Sequence, residues 1–119
     1  MAIKKVLIID NDTVSRSRIV ACVGDHCEVL EAEDGVSGLS YFLKCAPDLV
    51  FVNWKLPFMD ASSFYTNLKA SPSSRNTQIV FMTSWLGTVH KPKEKSYLSC
   101  SFIEKPLKKQ DIQHFLNVA

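Results

Sequence analysis

Four polar clusters in this sequence stand directly after apolar runs: Asp10-Asn11-Asp12 after KKVLII, Asn53-Trp54-Lys55 after DLVFV, Thr83 to Leu86 after QIVFM, and Glu104-Lys105-Pro106 after SFI. Brought together, they would supply carboxylates for a hard cation, lysine ammonium groups to neutralise anionic oxygen, a hydroxyl and a side-chain amide. Singly, each has a plainer explanation. An acidic residue after a strand often caps the next helix, and a Lys-Pro pair often only makes a turn. Whether chemistry follows depends on the elements that position them.

The apolar runs have strand length: KKVLII ends at Ile9, CEVLEA at Ala32, DLVFV at Val52, QIVFM at Met82 and SFI at Ile103. VLII and LVFV are continuous rather than alternating, as parallel strands covered on both faces require. Helical faces lie between them. Ile19, Cys22 and Val23 share one, closed by Gly24, and Leu39, Phe42 and Leu43 share another before Ala46-Pro47. Phe64 and Leu68 mark a third after the cap candidate Ser62, and Ile112, Phe115 and Leu116 define a terminal helix with Asp111 in its first turn. The stretch GTVHKPKEKSYLSC contains Pro92, which a helix accepts only in its first turn, so a short helix beginning near Pro92 is expected. ASPSSRNTQ reads as a loop. The result is a strand-helix unit repeated five times, an α/β fold whose site lies at the carboxyl ends of the strands. The polar clusters stand at those ends.

The length of 119 residues suits one domain with one core. A net charge of +2, with scattered lysines, gives no electrostatic footprint for nucleic acid or an anionic membrane. No apolar run reaches membrane-spanning length, and MAIKKVLIID lacks the apolar stretch of a signal peptide, so a cytoplasmic protein is expected. Cys22, Cys27, Cys45 and Cys100 form no metal-ligand spacing and are expected to be buried free thiols. His26, His90 and His114 form no cluster.

In the order and spacing of VLIIDND, PDLVFVNWKLPFMDA, IVFMTS and FIEKPL, the chain resembles the response-regulator receiver family over its whole length. The resemblance implies a flavodoxin-like, doubly wound (βα)5 three-layer sandwich with a five-stranded parallel sheet in the order 2-1-3-4-5. It also implies a two-component signalling role without enzymatic activity. Residue by residue, Asp10 and Asn11 fall on the acidic pair that binds magnesium, Asn53 on the phosphoacceptor aspartate, Thr83 on the switch hydroxyl, Phe102 on the switch aromatic and Lys105 on the lysine before proline.

Two of these matches replace a carboxylate by an amide. The amide of Asn53 is a poor nucleophile for phosphoryl transfer, and magnesium is held through carboxylates, of which mainly Asp10 remains, with Asp12 a partial substitute. No cofactor is therefore expected, and magnesium at best weakly. Lys55, two residues beyond the phosphoacceptor position, either points inward with Lys105 to neutralise Asp10 and Asp12 or lies in solvent. Trp54 reads as a packing residue. Trp85 and Leu86, after Thr83, either fold over the pocket as a lid, the reading favoured here, or anchor a partner. Ala61 stands where the family pattern has glycine, and Ser99 and Cys100 where it has Gly-Ala.

The expectation is a single receiver domain over residues 1–119, open to being the N-terminal module of a longer regulator, that binds proteins independently of phosphorylation. Its expected partners are a histidine kinase, an output domain or a second copy, met through the last two helices and the fifth strand. The alternatives are an ordinary receiver with an engineered Asp-to-Asn change at Asn53, and a haloacid-dehalogenase-like phosphatase. In the phosphatase reading DNDTV supplies Asp10 as nucleophile and Asp12 as acid/base, although that family's acidic fourth motif and cap segment have no counterpart here.

Overall fold

A computed structural model of the chain describes residues 3–84 and 100–116. In chain order the elements are β1 (Lys5–Ile9), α1 (Thr13–Val23), β2 (Glu28–Ala32), α2 (Gly35–Cys45), β3 (Leu49–Asn53) and α3 (Ala61–Lys69). A 3-10 turn (Pro72–Asn76), β4 (Gln78–Thr83), β5 (Ser101–Glu104) and α4 (Lys109–Leu116) follow. The strands form one parallel sheet in the order β2-β1-β3-β4-β5.

Side chains alternate between the two faces of a strand, so the continuous apolar strands feed two cores. Leu7, Ile9, Val50, Val52 and Phe81 pack with Phe42, Phe64 and Leu68 of α2 and α3. Val6, Ile8, Phe51, Val80 and Met82 pack with Ile19, Ile112 and Phe115 of α1 and α4. Gly38 allows α2 to lie close on β1, since a Cβ there would overlap the Ile9 side chain.

Each of the first three helices starts at an aspartate whose carboxylate accepts a backbone N–H of the first turn. Asp12 takes Val14, Asp34 takes Ser37 and Asp60 takes Ser63. Asp60, not Ser62, therefore caps α3, because the helix begins before the serine. Gly24, at φ +63°, closes α1, and Ala46, at φ +46°, takes the left-handed cap position after α2.

The expected loop ASPSSRNTQ contains the 3-10 turn, with Pro72 in its first positions where no N–H is missed. β3, β4 and β5 each run one residue past the apolar run. The N–H of Trp54 reaches the Met82 carbonyl at 2.8 Å and the N–H of Lys105 reaches Thr83 at the same distance, which holds polar Asn53, Thr83 and Glu104 in the ladder. The helix expected near Pro92, with His90 and Ser99, lies outside the described residues.

Candidate functional site

Asp10 follows the last residue of β1 and is fully buried. Its Oδ1 accepts the N–H of Asp12 at 2.9 Å, and its Oδ2 accepts Lys105 Nζ at 2.7 Å. The partners are 95 residues apart in sequence, and the ladder β1-β3-β4-β5 brings them together. Lys105 follows β5, and the peptide bond to Pro106 is cis.

Asn53 and Thr83 stand between the two, at the ends of β3 and β4. With Trp54, Lys55, Ser84 and Lys105 they line a cleft of about 110 Å3. Thr83 is almost fully buried. The Asn53 amide donates through Nδ2 to the carbonyl of Lys55 at 2.7 Å, a local bond that orients the side chain. Lys55 itself is exposed at the lip of the cleft, and Lys105 provides the ammonium that pairs with Asp10.

Asp12 lies at the edge, as the cap of α1. Its Oδ1 accepts the Val14 N–H at 3.1 Å and its Oδ2 accepts the Ser15 hydroxyl at 2.9 Å. The Ser15 hydroxyl, and after it the Val14 N–H, stabilise the carboxylate and hold its pKa below the ordinary value of 3.8. Asn11 is exposed. Among the described residues, no group of three or more His, Cys, Asp or Glu side chains is arranged to hold a metal ion.

Under the cleft, the Trp54 ring meets Phe81 edge-on at 5.0 Å, and Phe81 stacks on its ladder partner Phe102 at 5.5 Å and 27°. Trp54 is thus a packing residue, and Phe102 is tied to the aromatic floor of the site rather than standing free. Trp85 and Leu86 lie outside the described residues. The cysteines are half-buried free thiols rather than fully buried ones. Cys27 bonds the Ile3 carbonyl, and burial, then Asp48, pushes its pKa up.

Sequence reasoning passed over two features. Arg16 donates to the Asp10 carbonyl and bonds Glu31 Oε1 at 3.1 Å, bracing the β1–α1 connection; its position one helical turn after the cap was the available signal. Phe58 is 89% exposed in the β3–α3 loop at φ +69°, with no glycine or asparagine to announce a left-handed residue.

The model of the response regulator receiver domain matches residues 6–117. The chain belongs to this family. It is 25% identical over 109 residues to Protein PilG of Pseudomonas aeruginosa, covering 91% of this chain and 81% of that one. Its fold matches the chemotaxis response regulator CheY4 of Vibrio cholerae with a TM-score of 0.80, at 21% identity and 97% coverage of both chains. A putative response regulator from Chloroflexus aurantiacus matches with a TM-score of 0.78, at 19% identity, over 95% of this chain and 93% of that chain. At these identities the structural likeness speaks to fold alone. Membership in the receiver family replaces the haloacid-dehalogenase-like alternative: the chain is a two-component receiver domain, and the flavodoxin-like sheet order implied by the sequence is the one observed.

Proposed function

We propose that this receiver domain signals by binding protein partners without passing through a phosphorylated state. The observation that carries the reading is Asn53 at the carboxyl end of β3, in the cleft it shares with Thr83 and Lys105. Phosphoryl transfer needs an anionic oxygen there. A neutral amide that donates its N–H to Lys55 O offers none.

The residues present also fit magnesium poorly. Asp10 has one oxygen on Lys105 Nζ and the other on a backbone N–H, both Asp12 oxygens accept bonds from the first turn of α1, and Asn11 and Asn53 bring no charge. A hard, strongly hydrated dication requires carboxylates free to replace its water. The Lys105 ammonium is already where positive charge would be needed, so the pocket is neutralised from within. No magnesium requirement follows from this reading.

Losing the phosphoryl group removes the ligand that would bind two states unequally, so any remaining switch comes from a partner. The partners are a histidine kinase, an output domain or a second copy of the chain. The reading places them on β5, on the terminal helix α4 and on the helix expected near Pro92, which lies outside the described residues, and it places the protein in the cytoplasm. Among the described residues no helix is long and apolar enough to cross a membrane.

Incubation with acetyl phosphate and magnesium, followed by intact-mass measurement, tests the proposal. The wild type is expected to gain no phosphoryl group, and a labelled wild type would overturn the reading. A matched Asn53→Asp variant locates the defect. Its labelling would mean that Asn53 alone silences an otherwise competent pocket, as in the second reading of an ordinary receiver with an engineered change. Failure of both proteins would mean that Asn11 and the committed Asp12 have removed the cation site as well.

A further inference from the structure

Away from the cleft, α1 and α4 pack on one face of the sheet, with Ile19 and Val23 of the first and Ile112 and Phe115 of the second in a common core. Beside that contact the helices leave a hollow of about 350 Å3, lined among the described residues by Arg18, Ala21, Cys22, Leu107, Lys109 and Ile112. Its origin lies in α1, where Ala21 and Cys22 are too short to fill the gap. A hollow of this volume can take a small molecule.

The lining combines two chemistries. Leu107 and Ile112 are buried and, with Ala21 and the half-buried Cys22, make an apolar floor. The charged residues of the lining, Arg18 and Lys109, are both cations and both exposed. Asp111, the acid in the first turn of α4, is not among the lining residues, and among the described residues neither cation takes part in an ion pair. Lys109 also opens α4, so the positive end of that helix's dipole adds to the same potential. Exposed lysines and arginines are ordinary surface groups. These two differ in standing together, without a counter-ion, beside an apolar floor.

Arg18 Nη1 donates to the Leu107 carbonyl at 3.1 Å. The bond fixes the guanidinium beside the hollow and leaves its other N–H donors for a planar anion, the shape that an arginine fork matches. It also limits what can enter. A second hollow, lined by Asp12, Ser15, Lys105 and Pro106 among others, shares only Arg18 and Leu107 with the first, so the bridge between those two residues stands where the hollows meet. A partner helix needs an unbroken groove, and this one is interrupted. A short amphipathic anion fits on one side of the bridge.

We propose that the α1–α4 hollow binds a small amphipathic carboxylate, with its apolar tail on the floor and its carboxylate between Arg18 and Lys109. The site lies outside the cleft, so the proposal goes beyond the reading of Asn53 and holds whether or not the cleft takes phosphate.

Octanoate is the probe, with octylammonium, octanol and acetate as counterparts, each titrated into the isotopically labelled full chain and followed by nuclear magnetic resonance. Octanoate should shift the amides of the lining residues saturably, octanol should bind more weakly, and octylammonium and acetate should not bind. Arg18→Gln and Lys109→Gln should each loosen octanoate binding about two- to fivefold, and together by about the product of the two. Ala21→Leu, which fills the floor from an exposed helical position, should weaken it roughly tenfold or more. Lys69→Gln, on α3 across the sheet, should leave it unchanged. Lys109 is exposed and outside both cores, so its variant is informative even where Arg18→Gln fails to fold.

Absence of saturable octanoate shifts, shifts centred elsewhere, equal affinity for octanoate and either octanol or octylammonium, or unchanged binding in Lys109→Gln would overturn the proposal. Displacement of octanoate by an amphipathic leucine–glutamate helix would do the same, because it would assign the hollow to an acidic segment of a protein.

Discussion

The inner cleft and the outer rim of the site lie side by side and are built on opposite principles. In the cleft, buried Asp10 has both oxygens bonded, Thr83 is enclosed, and among the described residues no buried side-chain polar atom lacks a partner. On the rim, Phe58 is strained and open to solvent. A satisfied interior has little interaction energy left for a ligand, whereas unfilled apolar surface on a rigid frame has most of its own still available.

The largest expected effect attacks the cleft. Lys105→Met removes the ammonium 2.7 Å from a carboxylate that is fully buried and leaves that charge unpaired. Breaking a buried pair from one side costs about 3–5 kcal/mol, and the lysine side chain, still 19% exposed, puts this case toward the lower figure. Urea denaturation should show the loss, and the double variant Asp10→Asn/Lys105→Met should recover most of it. An undiminished stability in Lys105→Met would mean that the cleft is as open as the rim, and the comparison would fail.

A smaller effect tests whether cleft and rim share a support. Gly38 seats α2 on Ile9, the residue before Asp10, and the same helix carries Val36 on its first turn. Gly38→Ala forces a methyl group into the Ile9 side chain. Overpacking of that kind costs about 1–3 kcal/mol, while the helix preference for alanine returns up to about 1 kcal/mol, so a net loss of roughly 1–2 kcal/mol is expected. Thermal unfolding should show it, and nuclear magnetic resonance shifts should spread from Ile9 to both Asp10 and Val36. Shifts confined to α2 would show that the two regions are mechanically independent. Phe58→Asn, which suits the left-handed backbone at φ +69° better than phenylalanine, should raise Tm by about 2–5 °C, an effect next in size and of opposite sign.

The sheet was legible in the sequence because VLII and LVFV are apolar at every position, which only a strand covered on both faces tolerates. The polar strand ends were legible as a set. Their roles were less so, for a physical reason: Asp10 and Asp12 look alike in DND, yet one meets a lysine across the fold and the other meets its own helix. Local sequence announces the second kind of contact through the serine three residues on, but a pairing between β1 and β5 exists only once the sheet has formed. Lys55 was undecided between pocket and solvent because a flexible side chain two residues past a strand can reach either. Phe58 escaped notice because its backbone conformation is imposed by Leu56 and Met59 packing on both sides, and neither neighbour is a turn former.

The smallest effect concerns Asp12, on the boundary between cleft and rim. The Ser15 hydroxyl first, and then the Val14 N–H, favour its charged form and place its folded pKa below 3.8. An unfolded chain lacks both bonds and binds its proton at higher pH. The stabilisation is therefore fully present above the ordinary carboxylate value and is lost as the pH falls through the depressed folded value. Asp12→Asn keeps a capping oxygen but cannot titrate. Wild type should exceed the variant in urea midpoint at pH 7, and the gap should close below pH 3.8. A gap that persists in acid would assign the difference to geometry instead of charge. The same pair of proteins separates the two candidate tasks of this carboxylate. If Asp12 is committed to α1, magnesium at neutral pH should raise the Tm of neither protein, whereas a rise in wild type alone would make Asp12 a metal ligand and return the cleft to phosphoryl chemistry.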